Sequence, residues 1–366
     1  MKVAVLIDTW FPFMGGGQIN AWEISKRLAK QGVEIDIVTR NCGRDKLKRV
    51  KNITVYKLGS KSAANNSLSK ILFLFKSYYF ISKKNYDLIH AHAFLPGITA
   101  RLLMVLKGIP AIFTVHGTSI GTNLNNIFSR WLEKFILTQI RYSAQITVSQ
   151  DFLKIKNINE NVYYIPNGVD VKKFDKVNIK KFKRPTLLFV GRLNPQKNLQ
   201  NLIVAMDLVR KKLSSAQLLI VGSGILRNDL IRLVEKLKLQ KNVKLLGQKT
   251  GDDLVTLYKS VHIFVLPSIY EGQPLSLLEA WAAKLPAIVS KTGDCQYLVK
   301  GGQNGYLIGN ANHSVEIARL VVKAFKNKNL AEFGQNGYNL VKEKFSWDKS
   351  TKLTLDLYEK ITKSQN

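Results

Sequence analysis

Short, almost wholly apolar runs alternate along this chain with longer stretches in which apolar residues return every three or four positions. KVAVLI is followed by a helical pattern from Ile19 to Lys30, then by VEIDIV, YDLIHAH, PAIFTV and QITV. Apolar runs of this length bounded by turn signals fit strands covered on both faces, and their alternation with helical patterns is the βαβ signature of a parallel sheet. A second series, TLLFV, QLLIV, VKLL, HIFVL and PAIVS, begins beyond the lysine-rich, irregular stretch from Val171 to Arg184. Both series open with a strand, a glycine-bearing loop and an amphipathic helix. In the second, Leu199, Leu202, Ile203, Met206 and Val209 keep a period of roughly 3.6 residues. The pattern predicts an α/β chain of two Rossmann-like, doubly wound domains facing a central cleft. Their expected bounds are residues 1–170 and 171–345. Residues 346–366, with Trp347, Leu353, Leu357, Tyr358 and Ile361, read as a last helix crossing back to the N-terminal domain.

Composition agrees with two cores. A length of 366 residues exceeds the usual single domain, and a hydrophobic share of 46% argues against disorder. Cys42 and Cys295 form neither a disulfide framework nor a metal-ligand spacing, which fits a reducing, cytoplasmic location. The opening run is followed at once by Trp10, Pro12 and three glycines, unlike a signal peptide, and no apolar stretch approaches the roughly 20 residues that span a bilayer. The net charge of +31 attracts nucleotides, anionic lipid and nucleic acid alike, so it selects no function alone.

The chemistry concentrates in two loops of the second series. GRLNPQKN, residues 191–198, lies between a strand and a helix, where Arg192 and Lys197 can meet a phosphate together with helix-terminal amides. Two solvated cations on an ordinary loop are an equally good reading of the octet alone. EGQPLSLLEA, residues 271–280, follows HIFVLPS, and Pro274 favours the first turn of a helix. Amides of Leu275 and Ser276 would then join the anion donors. A carboxylate repels phosphate, so Glu271 and Glu279 make sense beside one only as acceptors for vicinal hydroxyls: Glu271 from a sugar, Glu279 from a ribose. The plainer alternative has Glu279 on an exposed helix face and Glu271 merely preceding a turn.

Taken jointly, GRLNPQKN and EGQPLSLLEAWAAKLPAIVS, with the N-terminal GGGQIN loop, TVHG, NGVD and the late FSW, resemble the GT-B-fold, family 4 glycosyltransferases over nearly the whole chain. The resemblance implies a retaining hexosyltransferase with an acceptor-binding N-terminal domain and a nucleotide-sugar-binding C-terminal one. Arg192 and Lys197 would neutralise the departing nucleoside diphosphate, Glu271 would hold the donor sugar and Glu279 the ribose. Gly16 and Gly17 would approach the diphosphate, and His116 the donor sugar; from position alone His116 reads better as a strand-end cap. Asn198 and Gln273 stand where the family often has glycine and an aromatic or aliphatic residue. The implied donor is UDP- or GDP-linked and the acceptor a glycan or a lipid-linked one, in polysaccharide, glycolipid or glycoprotein glycan synthesis. No cofactor is expected. Without an acidic pair at a strand end, and with Asp252 and Asp253 reading as a helix start, no metal is expected either.

SLSKILFLFKSYYFISKK, residues 67–84, either lies in an anionic membrane interface, making the enzyme peripheral on the cytoplasmic face, or packs as a buried helix on the first sheet. His90 and His92 read as packing or capping residues that could also face an acceptor. Competing functions are weaker. A sugar phosphorylase or nucleotide-sugar epimerase would share the phosphate cradle but is disfavoured by the two glutamates. A nucleic-acid-binding protein rests on charge alone, without a zinc or RNP-type motif, so no nucleic acid partner is expected. A dinucleotide oxidoreductase lacks the G-x-G-x-x-G spacing.

Overall fold

The computed structural model describes residues 1–13, 15–43, 49–63, 66–117, 127–155 and 158–364. It divides into two compact units, one of Met1–Asn167 with Trp347–Asn366, the other of Gly168–Ser346.

In the first unit the chain runs β1 (Lys2–Ile7), α1 (Gly16–Lys30), β2 (Glu34–Arg40), β3 (Ile53–Leu58), α2 (Ser67–Ser82), β4 (Leu88–His92), α3 (Phe94–Lys107), β5 (Ala111–Val115), α4 (Ile127–Gln139), β6 (Ala144–Thr147) and β7 (Val162–Tyr164). The sheet order is β3-β2-β1-β4-β5-β6-β7, with every pairing parallel. Strands β1, β4 and β5 are buried almost throughout, as continuous apolar runs demand when helices cover both faces. The step from β1 to β2 goes one way along the sheet, whereas β3 to β4, β4 to β5 and β5 to β6 go the other. Right-handed crossovers therefore put α1 on one face and α2, α3 and α4 on the opposite one. Phe73, Ile81, Leu103 and Leu137 of those three helices pack over Ala4, Leu6 and Ile89 of the sheet.

The second unit contains α5 (Val171–Asp175), β8 (Thr186–Val190), α6 (Leu199–Arg210), β9 (Gln217–Val221), α7 (Arg227–Lys236), β10 (Val243–Gly247), α8 (Gly251–Ser260), β11 (Ile263–Leu266), α9 (Leu275–Ala282), β12 (Ala287–Ser290), α10 (Cys295–Leu298), β13 (Gly305–Ile308), α11 (Ser314–Lys326) and α12 (Leu330–Lys344). Its order, β10-β9-β8-β11-β12-β13, is again all parallel. The 3.6-period set of α6 is its buried face, with Leu199, Leu202, Ile203, Met206 and Val209 all inaccessible, each stabilising by about 1.5–3 kcal/mol. Part of the stretch read as irregular is the short helix α5, whose Phe174 is buried. The last helix, α13 (Trp347–Lys363), belongs to the first unit and packs along α1.

Each sheet reverses its strand order once, between β1 and β4 and between β8 and β11. Ligands of such sheets sit outside the carboxyl ends of the strands at that reversal. The loops after β8 and β11 are GRLNPQKN and the segment leading to EGQPLSLLEA; the glycine run follows β1, and His92 is the last residue of β4.

Candidate functional site

In the second unit, the loop leaving β8 is fixed from below by the VGSG turn after β9. The Gly191 amide donates to Val221 (3.0 Å), the Leu193 amide to Ser223 (2.9 Å), and the Leu226 amide to the Leu193 carbonyl (3.0 Å). A Cβ on Gly222, whose φ is +142°, would lie 1.8 Å from the Gly191 oxygen, and one on Gly224 would lie 2.3 Å from that of Leu193. These two glycines let two backbones touch. The loop then makes a single 3-10 turn, Pro195–Lys197, and enters α6 through Asn198 in the left-handed region, φ 53°. Asparagine tolerates that conformation better than other side chains, which is why it can replace the family's glycine. Its amide also donates to the Ala311 carbonyl at 2.6 Å. Of the two cations, Arg192 is exposed and Lys197 is buried.

Lys197 is buried because it faces Glu271: its ammonium group donates to the carboxylate, and their side chains are only 11% and 8% exposed. Gln196 joins the loops that carry them, accepting from the Ile269 amide (2.8 Å) and donating to the Tyr270 carbonyl (2.9 Å). From the other side, the Asp294 amide donates to Gly272 (2.8 Å) and the Gln273 side chain donates to the Asp294 carboxylate (2.9 Å). Gly293, φ +49°, allows that approach, since a Cβ there would fall 2.2 Å from the Glu271 oxygen. Gln273, the second departure from the family pattern, is thus a buried strut for the turn that aims Glu271.

Pro274 precedes α9 as its N-cap, so the helix starts at Leu275, one residue later than the sequence suggests. No side chain caps it, and the amides of Leu275 and Ser276 open its first turn, where the partial positive charge of the helix is greatest. Glu279 lies one turn on. It is half-buried, not on an exposed face, and accepts a hydrogen bond from the Tyr258 hydroxyl at 2.9 Å. Burial pushes its carboxyl up to about 7, against the opposing pull of Tyr258 and Lys173. Tyr258, pushed far above its usual range by burial and by Glu279, stays protonated and keeps donating.

The first unit has its own cluster. Gly16 and Gly17 are the first residues of α1, whose N-terminus no side chain caps. A Cβ on Gly17 would lie 3.1 Å from the His116 ring, so the glycine lets α1 press against that imidazole. His116 stacks on His92, with ring centres 5.2 Å apart and planes 12° off parallel, and the two share a 2.9 Å hydrogen bond between Nε2 and Nδ1. His90, beside His92, is held between the Tyr358 hydroxyl (2.5 Å) and the Thr114 hydroxyl (2.6 Å). Burial depresses all three histidines, His116 to about 4 and His90 to about 3, so they are neutral near pH 7. His90 is a packing residue; His92 instead braces the histidine that the family resemblance singles out. Sequence reading missed this brace because the parallel register that sets His92 opposite Thr114, two residues short of His116, is not written in either segment. Tyr258, Gly293 and Asp294 escaped because the helix packing and loop contacts that bring them to Glu279 and Glu271 are likewise not written in any one segment.

Among the described residues, no group of three or more His, Cys, Asp or Glu side chains is placed to hold a metal ion.

The family profile described as glycosyl transferases group 1 matches residues 170–340, and that of glycosyltransferase family 4 matches residues 14–173. An uncharacterized glycosyltransferase of Methanocaldococcus jannaschii is 30% identical over 98% of both chains. The chain belongs to the group 1 glycosyltransferases. As a member it is an enzyme, a hexosyltransferase of the family 4 type. A second relative in the group, the UDP-Gal:alpha-D-GlcNAc-diphosphoundecaprenol alpha-1,3-galactosyltransferase of Escherichia coli, is 32% identical over 74% of this chain and 76% of its own. The fold, the GT-B type, is that of sucrose-phosphate synthase from Thermosynechococcus elongatus, with a TM-score of 0.86 at 21% identity over 99% of both chains.

Proposed function

We propose that this group 1 glycosyltransferase moves a hexose from a UDP- or GDP-linked donor to a glycan or lipid-linked acceptor with retention of configuration. The observation that carries the reading is the buried Lys197–Glu271 pair, held at the carboxyl ends of β8 and β11 beside the uncapped start of α9. Lys197 has three donors, so it can hold Glu271 and a phosphate oxygen at once. With Arg192 and the Leu275 and Ser276 amides it would stabilise the diphosphate as the glycosidic bond breaks, the step at which negative charge develops. Glu271 would accept from the sugar hydroxyls and Glu279 from the ribose. In the first unit, Gly16, Gly17 and neutral His116 are our assigned donor contacts. The two glutamates act here as holders, not as the acid and nucleophile of a glycosidase; the departing phosphate oxygen takes the acceptor proton. The E. coli relative, whose name specifies a UDP-linked hexose and a diphospholipid acceptor, supports the lipid-linked choice, in glycolipid or polysaccharide synthesis at the cytoplasmic membrane face.

Thermal unfolding in the presence of UDP, GDP, ADP or NAD tests the reading. UDP or GDP is expected to raise Tm, and at a free concentration 100 times Kd the stabilisation is about 2.7 kcal/mol. Stabilisation by NAD alone would refute it. Release of nucleoside diphosphate only when acceptor is present would separate transfer from phosphorolysis and epimerisation.

Glu279 supplies a pH test. Its carboxyl holds a proton up to about 7, above the ordinary carboxylate value of 4.5, so the folded state binds the extra proton between these values and loses stability as pH rises through that window. Below about 7 the neutral acid is a poorer acceptor for a ribose hydroxyl. Donor KM is therefore expected to rise about tenfold from pH 8 to pH 6, following the roughly tenfold fall per pH unit of the ionised form below its pKa. Glu279→Gln should abolish that dependence. A donor KM equally pH-dependent in the variant would remove Glu279 from the ribose site.

A further inference from the structure

We propose that the outer face of α2, α3 and α4 is a docking surface for an anionic lipid bilayer, with the groove beside Lys76 and Lys83 seating a headgroup phosphate. The proposal deepens the lipid-linked acceptor reading and locates its membrane contact.

Helix α2 buries Phe73, Ser77 and Ile81 against the sheet. Its opposite side carries Leu68, Ile71, Leu72, Phe75 and Tyr79 at a regular helical spacing, each between 43% and 69% exposed. One side of α2 is thus buried on the sheet while the other is exposed. Neighbouring α3 presents Leu102, Val105 and Leu106 outward, and α4 beyond it presents Trp131 stacked on Phe135. Three adjacent helices on one sheet face thus leave large apolar side chains in water, a pattern that surfaces without a partner rarely show.

Charge selects the partner. Helices α2 and α3 contain no acidic residue, and α4 contains only Glu133, whereas Lys70, Lys76, Arg101, Lys107 and Lys134 lie among the apolar side chains. Exposed Lys83 follows directly. At the edge of the apolar stripe a groove of about 420 Å³ is lined by Lys76, Lys83 and Lys84 together with Tyr79 and Phe80. Lys84 lies over the Tyr56 ring at 3.9 Å and 3.6 Å from the Asp36 carboxylate, and Lys83 lies over the Tyr79 ring at 4.0 Å and donates to its hydroxyl; among the described residues neither Lys83 nor Lys76 meets a carboxylate, so these two carry the groove's unneutralised charge toward a phosphate. Aromatic and aliphatic groups interleaved with lysines whose stems can reach outward are the composition of a segment lying in a headgroup layer. Among the described residues no helix is long and apolar enough to cross a membrane, so the contact is a lateral one.

The test is cosedimentation of the full chain with vesicles of phosphatidylcholine alone or mixed with phosphatidylglycerol, at low and high salt. Binding is expected only to the mixed vesicles, and to weaken with salt. The Lys76→Glu/Lys83→Glu variant should bind at least about tenfold more weakly, since each basic residue near an anionic surface counts for roughly fivefold. Phe75→Ser/Leu106→Ser should also bind more weakly. Vesicles should shift tryptophan emission to the blue, and Trp131→Phe should lose that shift. Transfer to a soluble acceptor, unchanged in every variant, shows that they fold. No binding at low salt, equal binding to pure phosphatidylcholine, or variants that bind like wild type would overturn the proposal. So would a dimer that Phe75→Ser dissociates in a protein that ignores vesicles. A wild-type chain that binds vesicles yet transfers no sugar would uphold the surface while refuting the assigned activity.

Discussion

Lys197→Ala is expected to lower turnover by about 10³-fold, the effect of removing one preorganised donor from the place where charge develops in the transition state. The same change leaves Glu271, 8% exposed at its side chain, without its cation. Breaking a buried pair costs about 3–5 kcal/mol, and the residual exposure here places the loss nearer the lower figure. The two effects separate in the double variant Lys197→Ala/Glu271→Gln, which should regain most of the stability in urea unfolding and none of the turnover. Turnover of the single variant within tenfold of wild type would mean that Lys197 does not meet the leaving group.

Glu271→Gln should lower turnover by about 10²-fold and cost less stability than Lys197→Ala does, since Lys197 loses its counter-charge but keeps an acceptor. The amide oxygen can still accept from Lys197, so the turn braced by Gln273 and Asp294 keeps its partner. What is lost is the charge: a hydrogen bond to a charged group contributes about 1.5–3 kcal/mol, and a carboxylate holding a sugar diol makes two. The amide nitrogen would moreover present a donor where a second acceptor is needed. Steady-state kinetics against the donor, with a melt as control, decide the matter; wild-type turnover would take Glu271 out of the sugar site.

Much of this was legible in the sequence because parallel sheets covered on both faces write each strand as a continuous apolar run. All strands named from the pattern are strands, and Asp252 and Asp253 do start α8. Arg192, Lys197 and Glu271 were legible as candidates because each lies in a short segment between strand and helix, and Glu279 because it follows within the first turns of α9. Three kinds of information were not. Contacts between neighbouring elements, such as His92 with His116 at strand ends or Tyr258 of α8 with Glu279 of α9, depend on register and on crossover geometry that no local segment encodes. The reason for Gly222 lies in the Gly191 carbonyl, some thirty residues away in sequence. The double-sided character of α2 was hidden because apolar residues occupy nearly every position, so periodicity could not tell the side that meets the sheet from the side left in water.

The placement of α13 in the first unit gives the chain an order of completion. Gly168–Ser346 is continuous in sequence, whereas the first unit needs Trp347–Asn366 as well. During synthesis, domains usually fold as they emerge, the N-terminal one first. Here the second unit has its entire sequence outside the ribosome before the first has its last helix. Tyr358, which holds His90, arrives only after the whole of the second unit's sequence. The N-terminal unit therefore waits with an open flank on α1, and a nascent chain released early would expose that flank to chaperones while the second unit was already finished.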